Sequence, residues 1–96
     1  MLFPEKMSAV PQPRRADLWR EYRTLCTALS LQVKLRREER PPTEAELSPL
    51  REAARKANGI LAEFGMEPSF FPTDADFFAK LLEELSAAMK APRRPD

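Results

Sequence analysis

Ser48-Pro49-Leu50-Arg51-Glu52-Ala53-Ala54-Arg55-Lys56-Ala57-Asn58-Gly59-Ile60-Leu61-Ala62-Glu63-Phe64-Gly65 is the stretch whose reading decides the fold. Leu50, Ala53, Ala54, Ala57, Ile60, Leu61 and Phe64 recur at three- and four-residue steps, an apolar stripe about 120° wide on a helix. Arg51, Glu52, Arg55, Lys56 and Glu63 fill the rest. Ser48 is suited to cap the helix and Pro49 to its first position, where a missing N–H costs nothing. Thr43-Glu44-Ala45-Glu46 also reads as a capping box, so a turn of helix is allowed to begin there. Gly65 suits a left-handed stop, and Pro68 prevents resumption. Asn58-Gly59 is a turn signal, but the apolar period runs straight across it, and the helix is kept at a penalty of about 1 kcal/mol for the glycine.

Upstream, Leu18, Trp19, Tyr22, Leu25, Cys26, Leu29 and Val33 form a second stripe. It predicts a helix from about Ala16 to about Glu39, roughly 30–35 Å long. Leu31 and Leu35 stand nearly opposite that stripe, which makes them candidates for an oligomer interface. Downstream, Phe77, Phe78, Leu81, Leu82, Leu85, Ala88 and Met89 give a third helix. Thr73 is its expected cap, with Asp74 and Asp76 in the first turn, where the helix dipole favours negative charge. This apolar face either closes the core or docks on a partner, and Phe77, Phe78, Leu81, Leu82, Leu85 and Met89 are the candidate contacts.

The ten prolines, at 4, 11, 13, 41, 42, 49, 68, 72, 92 and 95, mark the ends of these segments. The expected fold is all-α: an antiparallel helical hairpin plus a third, C-terminal amphipathic helix, in an oligomer. Its divisions are a flexible tail over 1–15, a hairpin serving oligomerisation over 16–65, a linker over 66–72, the third helix over 73–90 and a tail over 91–96. A chain of 96 residues leaves a small stability margin. One cysteine and no histidine exclude a disulfide and a tetrahedral N/S metal site within the chain, so assembly with copies of itself is the remaining staple. The single cysteine and the lack of a leader point to the cytoplasm. No apolar run approaches the roughly 20 residues that a membrane crossing needs.

The chemistry is sparse. No histidine is present as a base, Cys26 falls on an apolar stripe, and neither glycine lies in a phosphate-cradling loop. Neither an enzyme nor a cofactor is expected. Net charge is +1, but residues 1–40 hold nine Lys/Arg against five Asp/Glu, and residues 41–96 hold seven against ten. Arg20, Arg23, Lys34 and Arg37 lie within about 100° of one another around the first helix. Arg14 and Arg15 flank its start, and Arg36 and Arg40 extend the positive end. Such a stripe suits a phosphate backbone, with Asp17, Glu21, Glu38 and Glu39 on or beside it as the argument for an ordinary solvated face.

The phrases Leu47-Ser48-Pro49-Leu50-Arg51-Glu52-Ala53-Ala54-Arg55 and Ile60-Leu61-Ala62-Glu63-Phe64-Gly65-Met66-Glu67-Pro68-Ser69 resemble the final helix of phage-type terminase small subunits. There a helix opening near Pro-Leu closes on a Leu-x-x-Leu-Gly-Leu-x-Pro-Ser-like phrase, with Phe64 and Met66 standing here for leucines. Asp17-Leu18-Trp19-Arg20-Glu21-Tyr22 is similar to the opening of that family's earlier long helix. The resemblance spans residues 17–69. It implies a cytoplasmic, ring-forming subunit that contacts double-stranded DNA and regulates the ATPase and nuclease of a large terminase subunit.

Two departures shape that expectation. Phe70-Phe71-Pro72 replaces the usual basic continuation, and too few residues precede the first helix for the helix-turn-helix that many relatives use on DNA. The resemblance then implies weak, non-specific contact with duplex DNA, as in a gene transfer agent, and a third helix that meets the large subunit. The alternative is a small helical regulator or inhibitor that binds one host protein without touching DNA. A helix-turn-helix regulator is disfavoured, because the third helix is acidic where a recognition helix should be drawn to phosphates.

Overall fold

The computed structural model describes residues 3–90, whose regular structure is helical throughout: α1 (Phe3–Met7), α2 (Arg14–Glu38), α3 (Glu44–Glu63) and α4 (Phe77–Lys90). The C-terminal tail expected over 91–96 lies outside the described residues.

The expected N-terminal tail is not one over residues 3–10. Phe3 and Val10 are fully buried and Met7 nearly so. Phe3 and Met7 are four residues apart and share a face of α1, which tolerates a proline in its first turn. The Phe3 ring packs 4.9 Å from that of Phe70 and 5.4 Å from that of Tyr22. Its backbone N–H donates to the Glu84 carboxylate on α4 at 2.6 Å. Lys6 and Arg15 add bonds to the Glu67, Val10 and Ser8 carbonyls.

In α2 the buried residues are Leu18, Leu25, Ala28 and Leu35, while Tyr22, Cys26, Leu29 and Leu31 are partly buried against the core. Leu35 is thus buried and Leu31 partly covered, so the pair is less surplus than its place opposite the stripe implies. The expected stripe was centred too far round the helix: its members Trp19 and Val33 are 43% and 57% exposed. The reason is that α2 has neighbours on two flanks, α3 on one and α1 with α4 on the other. Its buried arc is wide, so no single narrow stripe marks it. The helix closes at Glu39 in the left-handed region (φ 53°), with the Arg40 N–H returning to the Leu35 carbonyl.

Of the two possible starts of α3, the capping box prevails. The Thr43 hydroxyl accepts from the Glu46 N–H, and the Glu46 carboxylate accepts from the Thr43 N–H. Pro49 thus sits inside the helix and removes one hydrogen bond in its second turn. Leu47, buried one turn before Leu50, extends the apolar stripe back to the earlier cap and helps compensate. The other end follows expectation. Gly65 (φ 71°) closes a Schellman motif, its N–H bonding the Ala62 carbonyl and the Met66 N–H that of Leu61.

Helix α3 continues through Asn58-Gly59, and Asn58 has a tertiary task. Its amide donates to the Phe70 carbonyl and accepts from the N–H groups of Ser69 and Phe70 at 3.0 and 3.2 Å. This clamps the segment after α3 against the helix and delivers Phe70, 4% exposed, to the core. Phe77 must also enter the core, so the chain between them turns instead of coiling. Helix α4 begins at Phe77, not Thr73, and Asp74 and Asp76 precede it, held by Lys80 at 2.8 and 3.4 Å.

The core gathers residues from all four helices and from Val10 and Phe70 between them, and no polar or charged residue is buried among the described residues. Polar ties lie at its margin. Arg14 at the start of α2 bonds Glu63 at the end of α3, and Arg40 just past α2 bonds Glu46 in the first turn of α3 at 2.7 Å. Arg40, then the Thr43 backbone, hold the Glu46 carboxyl down at about 2, against 4.5 for the free group. A depressed carboxylate contributes stability that is present above its unfolded pKa and is lost as pH falls towards the folded value. Thermal unfolding should therefore show a loss between about pH 4.5 and 2. Glu46→Gln, which preserves the capping box, should flatten the curve over that window.

Candidate nucleic-acid interface

Because the core claims one arc of α2, the opposite arc is free. Ala16, Arg20, Arg23, Thr27, Ser30, Lys34 and Arg37 follow one another at four- and three-residue steps, and all seven are exposed. They make a stripe about 30 Å long down the outside of the helix. No acid occurs at these positions. Asp17 and Glu21 border its N-terminal end, sharing a depression with Arg20, and Asp17 is half-buried and bonded to Arg14 at 2.8 Å; exposed Glu38, one turn past Lys34, pairs with Arg40 at 3.1 Å. Arg20 is 3.7 Å from Asp17 and Lys34 is 3.8 Å from Glu46, long separations through which the two exposed cations contribute little to the fold. Among the described residues, Arg23, Arg36 and Arg37 make no ion pair.

The other candidate cations are committed to the fold. Arg14 bridges Asp17 and Glu63. Arg15 donates to the Val10 and Ser8 carbonyls at 2.8 and 3.0 Å. Arg40 holds Glu38 and Glu46. Their partners come from distant positions or from the backbone, which a helical projection of one segment does not display. Arg36 is exposed but stands well round from the stripe.

At the N-terminal end of the stripe, Gln12, Ala16, Trp19, Arg20 and Arg23 line a shallow open depression. The Trp19 ring meets that of Tyr22 edge to face, 5.6 Å between centroids and 84° between planes. Tyr22 is half-buried beside Cys26; burial pushes its phenol up to about 12 and raises the Cys26 thiol as well. Trp19 was expected in the core, so its place beside two guanidiniums comes from the structure alone. The heptad-like recurrence 16-20-23-27-30-34-37, free of acids and large apolar residues, is the sequence signal for an outward face.

The six candidate contacts of the third helix divide. Phe77, Leu81 and Leu85 are at most 2% exposed and belong to the core. Phe78 and Leu82 are partly buried against it, and Met89 is 73% exposed. Leu82 also lines an open groove with Gln32, Ala79, Glu83, Ser86, Ala87 and Lys90. Arg51 on α3 lies 5.4 Å from the Phe77 ring centroid and donates to the Pro72 carbonyl, pinning the entry to α4.

Among the described residues, no helix is long and apolar enough to cross a membrane, and no group of three or more His, Cys, Asp or Glu is placed to hold a metal ion. No family model, curated protein or solved structure matches the chain. The likeness to terminase small subunits accordingly stands on the phrases quoted from residues 17–69.

Proposed function

We propose that this chain is a non-enzymatic cytoplasmic adaptor that contacts DNA through the outer face of α2 and acts in DNA packaging as a small-terminase-like subunit. The observation that carries the DNA contact is that Arg20, Arg23, Lys34 and Arg37 stand exposed in two pairs along the outer face of α2, with Arg23 and Arg37 in no ion pair among the described residues. Each such cation that meets a phosphate releases condensed counterions whatever the base sequence, so binding of this kind is weak, non-specific and salt-dependent. The packaging role rests on the resemblance alone. In it, α2 and α3 form the antiparallel hairpin, supported by the ion pairs Arg14–Glu63 and Arg40–Glu46 at its two ends. Contact with the large subunit falls to the part of α4 not spent on the core: Phe78, Leu82 and Met89.

Assembly into a ring is the separable part, and one observation favours the competing reading of a regulator that binds a single host protein. Leu35 is only 6% exposed and Leu31 is partly buried against the core, so the two leucines offer little apolar surface for a subunit contact. Size-exclusion chromatography with light scattering decides between them. The packaging reading expects an oligomer of defined mass at micromolar concentration; a strict monomer contradicts it and leaves the single-partner reading.

A further inference from the structure

We infer that the Trp19 end of the α2 face is a stacking platform for an unpaired base, so that the chain binds single-stranded nucleic acid more tightly than duplex. This rests on the reading of α2 as a phosphate-binding face and specifies its ligand. Ala16, Trp19, Arg20 and Arg23 stand at i, i+3, i+4 and i+7, so two turns of helix bring an indole and two guanidiniums to one patch. Ala16, one turn before the indole, lines the same open depression as Trp19, Arg20 and Arg23. Trp19 is 43% exposed, a large apolar area to leave in water beside Arg20 and Arg23.

The indole is also held in place. Its edge-to-face contact with Tyr22 continues through Tyr22 to Phe3 at 5.4 Å and from Phe3 to Phe70 at 4.9 Å. This aromatic chain ties the platform to the core, so the ring loses little freedom when a base lands on it. In a duplex the base faces are already covered by their neighbours, and a ring fixed to a helix surface gains nothing from them. An unpaired nucleotide offers a free face to the indole while its flanking phosphates meet Arg20 and Arg23, the combination by which single strands are held without sequence preference.

Trp19 is the sole tryptophan, so its emission reports the contact directly. Oligothymidylate, which does not self-pair, should quench that emission and bind about tenfold more tightly than a duplex of equal length, measured at one salt concentration. By anisotropy of labelled DNA, Trp19→Ala should lose about that factor for the single strand and leave duplex binding unchanged, with Trp19→Phe between the two. Circular dichroism of each variant checks the fold. Equal binding of both forms, unaltered in Trp19→Ala, overturns the platform but leaves the phosphate-binding face intact. If neither nucleic acid binds the wild-type chain, both readings fail.

Discussion

Phe3→Ala should destabilise the protein by about 3–5 kcal/mol, the usual cost of emptying a fully buried aromatic site. Against a total of roughly 5–14 kcal/mol for a chain of this size, that is a large fraction. Phe3 is fully buried, and its ring contacts Phe70 and Tyr22 from two different parts of the chain. Removing it opens a cavity where α1, α2, α4 and the segment after α3 meet. The Phe3 N–H to Glu84 bond is a backbone interaction and need not be lost, so the change isolates the ring. Urea denaturation of both proteins, followed at 222 nm, gives the difference; a midpoint unchanged within error would mean that α1 does not dock.

Reversing charge at Arg20, Arg23, Lys34 and Arg37 together, each to glutamate, should reduce duplex DNA affinity by at least about a hundredfold near physiological salt. All four side chains are exposed and outside the core, so the melting temperature should move little. Net charge falls from +1 to −7, and a part of any loss would follow from that alone. The control is reversal of Arg55, Lys56, Lys80 and Lys90, which carry the same charge on α3 and α4 and lie off the α2 face. A comparable loss from that second set would reduce the α2 effect to net charge. Little change from the first set would dispose of the face.

What the sequence displayed and what it hid follow from how far apart the determining residues lie. The extent of α3 was legible at its C-terminal end, because Gly65 and Pro68 act locally. Its start carried two local signals, and the capping box between Thr43 and Glu46 prevailed with the burial of Leu47 in support. Helix α1 was hidden because Pro4, Pro11 and Pro13 break the segment, and the pattern Phe3, Met7, Val10 is too short to establish a period. Leu31 and Leu35 looked surplus because α2 was projected as if it had one neighbour, when α3, α1 and α4 divide its circumference. Thr73 failed as a cap because Phe70 and Phe77 both enter the core and the chain must turn between them.

The candidate site was legible to the extent that it lies on one helix. The spacing of Arg20, Arg23, Lys34 and Arg37 placed them together, and the folded chain leaves all four exposed. Which cations were already engaged could not be read, since Arg14 finds Glu63 forty-nine positions away and Arg15 finds backbone carbonyls. The same tertiary arrangement engages Asp17 with Arg14 and puts Trp19 beside the stripe.

Duplex DNA affinity of the wild-type chain as a function of salt is the most direct test of the α2 face. Four phosphate contacts give a slope of log K against log salt of about −3 to −4, which means roughly a hundredfold weakening from about 50 to about 200 mM. A slope near zero, or no binding at the lower salt, would contradict the account.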